Sequence, residues 1–264
     1  MHGKLSVLAR AWTLEGALAG TLALSVAACN RAPIVWDAAG PADSAQFAAP
    51  AARGAPAAEP GMCRASIRYA AGPTVLWAAW WTARPDSGVM LRIARSGDGG
   101  AHWDAPILAE GRDQGVRGCA RPAPAIAYDA DSAFVHLAYF FEPAAGAGVW
   151  YAHDMASMFH APVPIVFGDR PAAVAVAASH DTVVVAYEDP NRRVSQVAIA
   201  LSTTTGHLFT MGMPVSGDDV AARRPAMALS GHRVVVAWRE SPSGDDEERA
   251  ADAGRFVGRT GRIE

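Results

Sequence analysis

The sequence predicts an all-β protein: an incomplete β-propeller of about three and a half four-stranded blades, preceded by a signal peptide and a disordered tether. Three observations predict it. Four segments open alike, at Arg64-Ala65-Ser66-Ile67, Arg121-Pro122-Ala123-Pro124, Arg170-Pro171-Ala172-Ala173 and Arg224-Pro225-Ala226-Met227. Each leads to a longer apolar run ending in an aromatic residue, at Trp80, Tyr139, Tyr187 and Trp238. Those markers are 59, 48 and 51 residues apart, and a period near fifty with short β-branched strands is the signature of propeller blades.

The chain has 264 residues, 51% hydrophobic and 19% charged, enough apolar material for a sizeable core. The formal net charge is -3 and no basic stripe is present, so no nucleic-acid partner is expected. At the N-terminus, Lys4 and Arg10 precede an uncharged, mostly apolar run from Ala17 to Ala28. Such a run is too short to span a bilayer and fits a signal-peptide core over residues 1–28. It ends in Val26-Ala27-Ala28-Cys29, which resembles the lipobox of bacterial lipoproteins. That resemblance implies acylation of Cys29 and contact with a membrane only through a lipid anchor, in the cell envelope. Residues 29–61 are rich in Ala, Pro and Gly and lack hydrophobic periodicity, so they are expected to form a flexible tether. Cys63 and Cys119 are then left in an oxidising compartment, as a disulfide or as two buried thiols.

The folded part is expected over residues 62–240. Blade one runs from about Cys63 to Leu108, blade two from Arg121 to Phe167, blade three from Arg170 to Val215, and a fourth from Arg224 to Trp238. Residues 241–264 read as a polar, disordered tail with no further strand. Between the third and fourth strands of blade one lies Ser96-Gly97-Asp98-Gly99-Gly100-Ala101-His102-Trp103. This resembles the Asp-box of the sialidase superfamily, Ser-x-Asp-x-Gly-x-Thr-Trp, with His102 in place of Thr. In such a turn Asp98 accepts backbone N–H groups, Gly100 supplies a positive φ and Trp103 packs back on the blade. Degenerate copies fall in phase. One keeps Asp154 and Phe159; the other keeps Ser202, Gly206 and Phe209.

The resemblance implies a sialidase-like propeller, which normally closes a ring of six or so blades. An open array exposes strand edges and a flat blade face. A longer reading frame of which this chain is a piece, a homodimer completing the ring, or a tail capping the array would each resolve that.

The resemblance also implies a possible exo-α-sialidase, with three arginines clamping a carboxylate, an Asp acid/base, and a Tyr nucleophile activated by a Glu. The candidates are Arg64, Arg121, Arg170 and Arg224 at the blade openings, Asp86 in a polar loop, and the adjacent Tyr187 and Glu188. Each has a structural reading. An Arg-Pro opening serves as a blade-start device, Asp86 as a turn residue and Tyr187 as a repeated core aromatic. The Asp-boxes lie on blade turns, so Asp98 is read as structural. His102, His153 and His207 fall at or beside those turns on different blades, which argues against a shared metal site. No phosphate loop, nucleophile elbow or zinc motif is present, and no cofactor or metal is expected. The leading expectation is a surface lipoprotein whose propeller binds a glycan or protein ligand; the alternative is an exo-α-sialidase or related glycoside hydrolase.

Overall fold

The computed structural model describes residues 33–155, 158–241 and 254–264. Cys29 and the signal segment lie outside them. No helix among the described residues is long and apolar enough to cross a membrane. The fold is all-β, with four antiparallel sheets following one another as blades.

Two short strands come first: β1 (Ile34–Trp36) and β2 (Gly40–Pro41). Blade one is then β3 (Arg68–Ala71), β4 (Leu76–Ala83), β5 (Val89–Ser96) and β6 (Ile107–Glu110), paired in that order. Blade two has β7 (Ala125–Asp129), β8 (Phe134–Phe141) and β9 (Gly148–Met155). Both β10 (Met158–Phe159) and β11 (Val163–Phe167) pair with the outer side of β9. Blade three is β12 (Val174–Ser179), β13 (Thr182–Glu188), β14 (Val197–Ser202) and β15 (Met213–Pro214). Blade four begins with β16 (Ala221–Ser230) and β17 (Arg233–Ser241).

Two expectations are corrected here. The polar tail contains β18 (Arg255–Ile263), which pairs with β17 along its whole length. Its alternation is hard to see in Arg255-Phe256-Val257-Gly258-Arg259-Thr260-Gly261-Arg262-Ile263, because two glycines and three arginines dilute it. The expected tether supplies the last strands of the same sheet. Ile34, Val35 and Trp36 pair with Ile263, Arg262 and Gly261, and Gly40–Pro41 pairs further along β18. Blade four is therefore complete. Gly261 allows the close approach, since a Cβ there would lie 2.6 Å from Ile34 Cγ2 and 2.7 Å from the Trp36 ring.

The middle strands carry the core. Consecutive middle strands read as near-continuous apolar runs because both faces of each inner blade meet a neighbour. The four aromatic markers occupy equivalent places. Tyr139, Tyr187 and Trp238 each sit on the face turned to the preceding blade, in three successive interblade clusters. Trp80 has no preceding blade and is nevertheless fully buried, among Met62, Ile67, Tyr69 and Trp103. Its indole Nε1 donates to Glu59 Oε1 at 3.1 Å.

The open faces are thus covered by the segment expected to be a loose arm. After β2, a 3-10 turn at Ser44–Phe47 places Phe47 edge-on against Phe256 of blade four, 5.8 Å between centroids. Further on, Arg53 N donates to Gly99 O and Glu59 reaches blade one. Such contacts offset the ordering entropy that composition alone predicts would win. Cys63 and Cys119 are joined in a disulfide between the entries to blades one and two.

If β1 completes blade four, Ile34→Ala should cost about 2–4 kcal/mol, the range for a buried large-to-small change. Urea unfolding of the full chain measures it. A cost below half a kcal/mol, the level of an ordinary surface change, would mean β1 does not dock.

Candidate functional site

The inner strands β3, β7, β12 and β16 converge on a cleft of about 1130 Å³. Its wall is completed by residues 46–50 of the N-terminal segment. The charged groups lining it are Arg68, Arg121, Arg223, Arg224 and Glu188, with Phe47 and Tyr69 as aromatic surfaces. Arg68 also donates to the Ala65 and Ile67 carbonyls, at 3.1 and 2.8 Å.

The predicted arginines divide. Arg64 is exposed in a 3-10 turn and does not line the cleft. Arg170 donates to the Asp189 carbonyl at 2.6 Å, and only its neighbour Pro171 reaches the wall. Arg121 is fully buried and engaged internally. Its guanidinium meets Asp113 in two bonds, at 3.2 and 3.0 Å, and Glu142 at 3.3 Å, over the face of Trp81. Asp113 also accepts the N–H groups of Val89 and Glu142, so the pair ties blade one to blade two. Arg224 lies on a bulge of β16 with φ of 52°, and its N–H donates to Glu188 Oε1 at 2.7 Å.

Tyr187 and Glu188 are neighbours on one strand and so face opposite sides of the sheet. Tyr187 is buried between blades two and three, where burial raises its hydroxyl to about 12. Glu188 faces the cleft. Burial pushes its carboxyl up, outweighing the Arg224 N–H and the charges of Arg223, Arg170 and Arg224. The two side chains therefore do not form a nucleophile and base in one place. Asp86 is an exposed turn carboxylate held by Arg84 and Gly88 N–H, which keep it below its ordinary range.

Arg68 and Arg223 were not singled out from the sequence. A signal exists for Arg68: four residues after each blade opening stand Arg68, Ala125, Val174 and Ala228, so one copy carries a charge where the others are apolar.

The Asp-box turn is built as its residue types suggest. Ser96 Oγ accepts Gly100 N–H at 2.8 Å, and Asp98 accepts the His102 N–H at 2.9 Å and contacts its ring. Gly100 has a φ of 87°, and Trp103 stacks near Tyr69 and donates to Gly54 O. In blade three the same turn survives without its acid. Ser202 Oγ accepts Gly206 N–H, and Thr204 Oγ1 accepts Leu208 N–H at 3.0 Å in the role of Asp98. Phe209 packs on Tyr151. The copy in blade two is a correction. Asp154 is not a turn residue but part of β9, paired with Phe159, and accepts Val135 N–H at 2.8 Å. This copy lacks the serine hydroxyl and the glycine, and Met158–Phe159 pairs back on β9 instead.

A second correction concerns the histidines. His153 and His207 lie on different blades, as read from the sequence, yet their ring centroids are 5.0 Å apart. His160, which was not singled out, lies 4.7 Å from His153. One ring nitrogen from each of the three lies within 4.8 Å of the others. On the other side, His136 stacks 6.0 Å from His153 and its Nδ1 meets Tyr151 Oη at 2.6 Å.

No family model and no curated protein matches this chain. Solved structures do resemble it. A protein of unknown function from Dyadobacter fermentans DSM 18053 is 14% identical with a TM-score of 0.51, over 68% of this chain and 63% of that one. The Hadza microbial sialidase Hz136 is 13% identical with a TM-score of 0.47, over 67% of this chain and 42% of that one. An alpha-L-arabinanase of Penicillium chrysogenum, complexed with arabinobiose, is 14% identical with a TM-score of 0.45, over 63% of this chain and 54% of that one. This chain spans less than two thirds of the length of each. The likeness to the Dyadobacter protein is one of fold alone.

Two outcomes are expected from this geometry. Arg121→Ala should destabilise the protein by about 3–5 kcal/mol, because it strands buried carboxylates; urea unfolding that shows no loss would count against a structural role. The second concerns pH. Burial, chiefly, lowers both His136 and His153 to about 4. An unfolded imidazole titrates near 6.5, so between about pH 6.5 and 4 the unfolded chain binds more protons and stability falls as pH falls. His136→Phe should shrink the difference in urea midpoint between pH 7 and pH 4.5. An unaltered difference would mean His136 does not titrate this way.

Proposed function

We propose that this protein is an exported, lipid-anchored binding module of the cell envelope whose central cleft takes an acidic glycan. The observation that carries this is the convergence of Arg68, Arg223 and Arg224 on one concave wall with Phe47 and Tyr69. Guanidinium forks match carboxylate or sulfate oxygens, and aromatic faces match the apolar side of a sugar ring. Export is supported by the apolar run ending at Cys29 and by the Cys63–Cys119 disulfide, which suits an oxidising compartment.

The exo-α-sialidase alternative draws less from the same geometry. Arg121 is neutralised by Asp113 and Glu142, and Tyr187 is packed in the core away from the cleft. Binding without turnover is therefore the reading favoured.

Titration calorimetry of the full chain against a sialylated oligosaccharide and a polyuronate tests this. Binding of an acidic glycan is expected, weakened about tenfold or more by Arg68→Ala or Arg223→Ala in variants that a thermal melt shows to be folded, the loss of one charge-assisted contact. No binding, or binding indifferent to both changes, would exclude the cleft. Release of the fluorophore from a fluorogenic sialoside would favour the enzyme instead.

A further inference from the structure

We propose that His153, His160 and His207 form a binding site for one divalent transition-metal ion, with zinc the best match to the donor set, bridging blades two and three. The site shares no residue with the central cleft and does not rest on the function proposed for it.

The placement follows from one strand pairing and one turn. His153 ends the apolar part of β9, and the β9–β10 hairpin returns His160 opposite it, with His160 N–H donating to His153 O at 3.0 Å. The third imidazole comes from the Asp-box turn of blade three. There Gly206 has a φ of 84°, and a Cβ on it would lie 2.2 Å from Tyr151 Oη. That contact, open only to glycine, seats the turn on blade two and brings His207 over His153.

The nitrogens are suited to coordination. His207 Nδ1 donates to the Thr204 carbonyl at 2.7 Å, which fixes the proton there and leaves Nε2 with its lone pair. His153 is buried, and its Nε2 has no hydrogen-bond partner among the described residues. An unsatisfied buried nitrogen costs about 1–3 kcal/mol, and a metal ligand bond removes that penalty. Around tetrahedral zinc, Zn–N bonds of about 2.0–2.1 Å place ligand nitrogens about 3.3 Å apart. The present separation of up to 4.8 Å closes by rotation of His160 and His207, both exposed. Three neutral imidazoles favour zinc and its neighbours over calcium or magnesium, which take oxygen ligands. A water molecule would supply the fourth ligand.

The experiment is calorimetric titration of zinc chloride into the chelator-stripped full chain, repeated with cobalt(II) and read by visible absorption. One equivalent should bind, raise Tm, and give the intense visible bands of four-coordinate cobalt. His160→Ala and His207→Ala, both at exposed positions, should each weaken binding at least tenfold while keeping the metal-free Tm. His102→Ala, an exposed histidine elsewhere, should change nothing. Absence of saturable binding, or an equal affinity in the His160→Ala/His207→Ala double variant, would overturn the site.

Discussion

The pairing of Ile34–Trp36 with Gly261–Ile263 is the constraint on which the rest of the architecture depends. It joins segments from the two ends of the described chain into one sheet, and so fixes where the intervening blades begin and end. A two-stranded hairpin is marginal alone, and stability comes with further strands and a buried apolar face. Adding β1 gives blade four its fourth strand and puts Ile34 into the cluster that blade four shares with blade three. The same segment then crosses the open side of the array. It covers Phe256 with Phe47 and Trp80 with Met62.

Between the ends, the blades are held by one repeated device and several local ones. The repeated device is a large aromatic on the middle strand, turned to the preceding blade. Burying such a ring contributes both area and a specific edge-on contact, as where Trp81 meets Tyr139. The local devices are polar and differ at each junction. Blades one and two share the disulfide, the Arg121–Asp113 pair and the bond from Trp81 Nε1 to Pro122 O. Blades two and three meet through the histidine corner, and blades three and four through Glu188 and the Arg224 bulge. The blade openings therefore look alike in sequence while their arginines do different work.

The cleft inherits its chemistry from that difference. Arg121 is paired with Asp113, and Arg68, Arg223, Arg224 and Glu188 line the cleft wall. An anion entering there meets guanidinium groups held on strands rather than on long loops, which lowers the ordering cost of binding.

The sequence by itself determined the all-β class, the blade period, three of the four blades, the interblade aromatics and the Ser96–Trp103 turn. Each is a local pattern: alternation, spacing, or a hydroxyl and a glycine at fixed separation. It did not reveal β18, whose arginines and glycines mask the period, nor the docking of residues 34–62, because a strand partner more than two hundred residues away leaves no local mark. For the same reason His153 and His207 read as unrelated turn residues, and His160 carries no local mark at all. Which blades touch, and which side chains meet where they do, was decided only by the tertiary structure, since contact across an interface depends on the register and twist of both sheets and is written in neither sheet alone.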